Sequence, residues 1–121
     1  MSIAEDRELL ELAAKAAGYA VDCAFEDSPL IYGEDAGPDG PREWNPLTDD
    51  GDALRLAVDL RLDISFLSGF KQVRCHCEQG RDNPWMHSVA GYGAGAGSLP
   101  TAENVRRAIV LAAAEIGRAM P

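Results

Sequence analysis

Thr48-Asp49-Asp50-Gly51-Asp52-Ala53-Leu54-Arg55-Leu56-Ala57-Val58-Asp59-Leu60 decides the fold class. Its opening clusters side-chain oxygens where a helix leaves backbone N–H groups without partners, so the stretch predicts a helix over about 49–61 that starts at the acids. Leu54, Ala57, Val58 and Leu60 supply the predicted buried side. A second strong helix follows Leu99-Pro100-Thr101, with Thr101 as cap and Val105, Ile109, Ala112, Ala113 and Ile116 as its apolar stripe over about 101–119. Arg106, Arg107, Glu115 and Arg118 fall largely off that stripe.

Outward from these helices the periodicity changes. Tyr19, Val21, Cys23 and Phe25 alternate with Ala20, Asp22 and Ala24, which reads as a strand with one buried face, and Leu30-Ile31-Tyr32 reads as a short partner. The runs 63–70 and 72–77 form a second pair around Ser68-Gly69, and 85–92 supplies a further strand. At the front, Ser2 and Glu5 have capping-box spacing, Leu9, Leu10, Leu12, Ala13 and Ala16 form a stripe, and Gly18 ends the helix. The order α-β(β)-α-β-β(β)-α predicts an α+β chain, a layered α/β sandwich with a short, mainly antiparallel sheet covered by helices. Length and composition predict a single domain over 1–121, with flexible loops at 33–46 and 91–98 where proline and glycine concentrate.

Composition restricts the function classes. Net charge is −9, from 20 acidic and 11 basic residues, so direct nucleic-acid binding is not expected, because that binding draws on neutralised phosphates. The first residues hold no basic segment followed by an apolar run, and no stretch approaches a bilayer span, so no membrane contact is expected. With Cys23, Cys75 and Cys77 in no disulfide framework spacing, a reducing cytoplasm is the expected location.

Several residues offer a chemical and a structural reading. Trp44 beside Asn45 would stack on and hydrogen-bond a planar ligand, with Arg106 or Arg107 facing its charged groups; alternatively Trp44 plugs the core and Asn45 holds the turn. Asp49, Asp50 and Asp52 would bind a divalent cation or cap a helix. The run Gly91, Gly93, Gly95, Gly97 with Ser98, just before a helix, would cradle a phosphate or serve as a flexible connection. Cys75-His76-Cys77 with His87 has zinc-ligand chemistry, but in a strand His76 points away from the two cysteines, so buried thiols and a surface histidine are the expected state. No catalytic set emerges and no cofactor is expected. The candidate ligand-binding residues are therefore Trp44, Asn45, Asp50, Arg106, Arg107 and Ser98.

The stretch Trp44-Asn45-Pro46-Leu47-Thr48-Asp49-Asp50-Gly51-Asp52-Ala53-Leu54-Arg55-Leu56-Ala57, together with Arg106-Arg107-Ala108-Ile109-Val110-Leu111-Ala112-Ala113-Ala114-Glu115-Ile116-Gly117, resembles small phage and prophage proteins of the phage ABA-sandwich domain family. The likeness spans most of the chain, although the glycine-rich run at 91–97 departs from the family's pattern. It implies an α-β-α layered fold and a phage-encoded accessory protein in the cytoplasm of an infected bacterium. The expected function is non-enzymatic: counter-defence by binding and sequestering a small nucleotide-like signal. The alternative is an acidic protein-binding inhibitor or nucleic-acid mimic acting on a host or phage protein. Homo-oligomers through edge strands or an exposed helix face are compatible with either.

Overall fold

The computed structural model describes residues 3–22, 29–38, 40–67, 72–77, 85–90 and 101–120. Helix α1 (Ile3–Ala17) leads into β1 (Ala20–Asp22) and β2 (Leu30–Tyr32), then a 3-10 turn (Gly33–Ala36) and β3 (Arg42–Glu43). Next come α2 (Asp50–Leu60), β4 (Leu62–Leu67), β5 (Gln72–Cys77), β6 (Trp85–Ala90) and α3 (Ala102–Ala119). The chain is α+β, but its strands form two three-stranded antiparallel sheets, β1-β2-β3 and β4-β5-β6, instead of one. The stretch 33–46 is more than a loop, since it holds the 3-10 turn and β3, which pairs Arg42 with Ile31 and Glu43 with Leu30. Ser2, the distal half of the first predicted strand, Ser68-Gly69 and the glycine-rich run lie outside the described residues.

Helix α3 is the axis of the core. It packs on α1, α2, β5 and β6, and Ala108, Ile109, Val110, Ala112, Ala113, Ala114 and Gly117 are all buried along it. Such all-round burial explains why its small residues exceed the stripe legible from periodicity: each neighbour needs its own face. The side toward α1 is built from alanine and glycine, with Ala13 and Ala14 buried opposite. Val73 and Cys75 of β5 are fully buried, and Ile31 carries the first sheet into the same apolar cluster.

Helix ends follow their sequence signals. Gly18 takes φ +78°, and its N–H donates to Lys15 O at 3.2 Å while Tyr19 N–H donates to Ala14 O at 3.0 Å, a Schellman closure of α1. Thr101 and Asn104 cap α3 reciprocally, each side chain accepting from the other's backbone N–H. Asp49 caps α2 by accepting from Asp52 N–H at 2.8 Å. At the other end of α2 the left-handed position belongs to Arg61, at φ 55° and ψ 47°. That conformation costs a residue with a Cβ about 1–2 kcal/mol that glycine does not incur. Arg61→Gly should therefore stabilise the fold by about 0.5–1 kcal/mol, allowing for the greater freedom of glycine in the unfolded chain. A higher urea midpoint with unchanged slope checks it.

Helix α2 departs from its predicted packing. Ala53, Leu56, Ala57 and Leu60 are buried, whereas Leu54 is 61% and Val58 65% exposed. Its apolar arc is wider than the face covered by α1 and α3, and two large side chains remain outside.

Candidate functional site

Trp44 lies in the core at 1% exposure, its ring edge-on to Tyr19 at 5.6 Å between centroids and 88° between planes. No face of the indole is presented to a ligand, so the expected stacking surface is absent and the core-plug reading describes this residue. Pairing of Trp44 N–H with Pro29 O at 2.8 Å fixes the strand that delivers it. Asn45 holds the turn: its Oδ1 accepts from Leu47 N–H at 3.0 Å, and its carbonyl accepts from the N–H groups of Thr48 and Asp49. Arg107 pairs with Asp6 of α1 at 3.3 Å. Ser98 lies outside the described residues.

Arg106 and Asp50 do meet. Arg106 Nε donates to Leu47 O at 2.9 Å and Nη1 to the carboxylate of Asp50, tying the start of α3 to the start of α2. Beneath this pair lies a cleft of about 270 Å³ between the two helices and β4. Among the described residues its walls are apolar, from Ala53, Leu54, Ile64, Val105 and Ile109, and its charged groups are Asp50 and Arg106. Asp50 remains 78% exposed, its chain neighbour Asp49 is exposed, and so is Glu103 in the first turn of α3. An apolar chamber with an acidic lip takes an uncharged group and favours cations around it.

The apolar surface continues outside the cleft. Val58 follows Leu54 by one helical turn, and Phe66, 59% exposed, follows Ile64 by two residues on the same face of β4.

A buried carboxylate that motif reading assigned to capping or cation binding has another role. Asp52 Oδ1 accepts from Arg42 Nη1 and Arg55 Nη2, each at 2.9 Å, and Oδ2 accepts from Asn45 N–H at 3.0 Å. Burial pushes its carboxyl pKa up, but the Asn45 N–H and the two guanidiniums outweigh burial and hold it below the usual value. The available signal was an aspartate at the third helical position with arginine three residues on; the partner Arg42 comes from a strand too short to see. Through Asn45 and Leu47 this carboxylate also supports the carbonyl that seats Arg106.

Among the described residues no three acidic, histidine or cysteine side chains gather where a metal ion would bind. Cys75 is a buried free thiol, opposite Ile64 on one side and His87 on the other in strand register. The side chains of His76, Cys77 and His87 lie outside the described residues. Burial pushes the Cys75 thiol up to about 12 from 9.0, which removes the thiolate that alkylation needs. With Cys23→Ser and Cys77→Ser in place, iodoacetamide at pH 8 should label Cys75 only at the rate of global unfolding; labelling as fast as a small thiol would contradict the packing. Stability should also decline as pH rises from 9 toward 12, where the unfolded thiol ionises and the folded one does not.

Among the described residues no helix is long and apolar enough to cross a membrane. The chain matches no protein-family model, and it has no significant match among curated proteins or solved structures.

Proposed function

We propose that this is a non-enzymatic, phage-encoded accessory protein that inhibits or redirects a host or phage protein by binding it. The observation that carries the reading is the exposed apolar surface of Leu54, Val58 and Phe66 around an apolar cleft with an acidic lip. Large apolar side chains left in water next to a concave site mark an interaction surface more often than a structural need. Net charge of −9 and the carboxylates of Asp49, Asp50 and Glu103 select a partner whose apolar anchor is flanked by lysine or arginine. Sequestration of a nucleotide-like signal draws less support: Trp44 is enclosed, Arg107 is tied to Asp6, and phosphate would meet the acidic lip.

A random-peptide library selected on the immobilised protein tests this reading. Enriched peptides should combine an apolar residue with lysine or arginine, bind more weakly as salt rises, and lose at least about tenfold in affinity to Leu54→Asp. No enrichment, or enrichment indifferent to Leu54→Asp, would overturn it. Calorimetry with cyclic nucleotides and adenosine-diphosphate-ribose derivatives runs beside it, and heat abolished by Arg106→Ala would establish sequestration instead.

A further inference from the structure

Strand β4 is an edge. Among the described residues only β5 pairs with it, in an unbroken register from Leu62 opposite Cys77 to Leu67 opposite Gln72. Six residues of regular strand present about 20 Å of backbone on the side away from β5. Directly opposed residues of an antiparallel pair point to the same face, so Ile64 shares a face with Cys75, and Phe66 with Val73. Because Val73 and Cys75 are buried and Ile64 lines the cleft, this is the face toward α2 and α3. Asp63 and Ser65 face the other way and are exposed.

We infer that the partner binds by strand addition, laying an extended segment along the side of β4 away from β5 with alternate side chains directed at the cleft. This rests on the protein-binding reading above and adds its mode of recognition. A residue placed opposite Ile64 enters the apolar chamber beside Leu54. One placed opposite Phe66, two positions along, covers the exposed ring. Both must be apolar. The residue between them falls on the polar face that carries Asp63, Ser65 and Arg74, so it is polar, and the net charge of −9 makes lysine or arginine the favoured choice. The recognised pattern is therefore apolar-basic-apolar in extended conformation. Backbone hydrogen bonds supply affinity, and the cleft supplies selection. A second copy is the poorer occupant. Antiparallel self-pairing that matches Ile64 with Phe66 sets each Asp63 opposite Leu67 and brings together two chains of like net charge.

The test is a backbone N-methyl scan of the tightest peptide from the library selection. Methylation removes one N–H donor and blocks close approach, and only the N–H groups that face β4 matter. The expected result is a period of two: methylation at alternate residues weakens binding at least about tenfold, and at the intervening residues less than about threefold. A scan without that period, or with losses confined to one side chain, overturns strand addition and leaves the protein-binding reading intact. Failure of the library selection itself overturns both. Sedimentation of the protein alone supplies the remaining outcome: a dimer abolished by Phe66→Lys would place a second copy on the edge and overturn the inference.

Discussion

Gly117→Ala should destabilise the fold by about 3 kcal/mol, although alanine is worth about 1 kcal/mol more than glycine inside a helix. A Cβ at Gly117 would stand 2.0 Å from the carbonyl oxygen of Leu12, 2.8 Å from its carbonyl carbon and 3.3 Å from its Cα. These are backbone atoms of the facing helix, so no rotamer change relieves the overlap. Helices α1 and α3 must separate instead, and Ala13, Ala14, Ala113 and Ala114, all fully buried, are too short to fill the gap that opens. Gly117→Leu should not fold at all. A urea titration of Gly117→Ala against the unmodified chain measures the effect, and a midpoint equal to or above the original would contradict so close a helix crossing. The control is an exposed position on the same helix: Glu103→Ala removes a carboxylate from the first turn and should change stability by less than about 0.5 kcal/mol.

The contrast between Gly117 and Gly18 shows which parts of the fold were legible. Gly18 follows an apolar stripe, where glycine in the left-handed conformation has a local meaning, and it ends α1 as expected. Gly117 sits inside a helical pattern, where the local meaning is only a weaker helix; its reason is a facing carbonyl 105 residues earlier, which no window along the chain contains. Strands β2 and β5 were legible for the same local reasons as Gly18. Two sheets in place of one were not, because pairing partners are chosen by tertiary contact and alternation only marks a strand.

The candidate site divides in the same way. Asp49 as a cap and Asn45 as the holder of a turn are properties of a few consecutive residues, and both are present. Trp44 had two readings that differ only in what surrounds it, and Tyr19 and the core decide between them. Leu54 and Val58 belong to an apolar arc that periodicity assigns to the interior; only the placement of α1 and α3 shows that the arc is wider than the surface available to cover it. That excess connects fold to function. Burying both side chains would have needed another element; among the described residues they stand instead beside a cleft and the outer strand of a sheet.

Replacing Asp52 by alanine should cost about 3 kcal/mol, the second large effect expected in this chain. At 4% exposure the carboxylate is the common acceptor for Arg42 of β3, Arg55 of α2 and the backbone N–H of Asn45. Arg42 and Arg55 keep part of their surface in water, so loss of the charge is screened and falls below the 3–5 kcal/mol typical of a fully buried pair. The Asn45 N–H then lacks this acceptor, which restores much of the difference. Asp52→Asn keeps an acceptor oxygen and should cost about 1 kcal/mol. The two variants also separate charge from shape in their pH dependence. Because the folded carboxyl titrates below its ordinary 3.8, its contribution is complete above that value and is lost as pH falls through the lower folded pKa. The unmodified chain should therefore lose stability below pH 4 more steeply than Asp52→Asn, and urea midpoints from pH 7 to pH 2 measure the difference. Loss of the carboxylate also frees the turn whose Leu47 carbonyl seats Arg106, so the Arg106 Nε–H, which donates to that carbonyl, should exchange faster in Asp52→Ala than in the unmodified chain. Equal protection in both proteins would show that the rim of the cleft is held by the Asp50 pair alone.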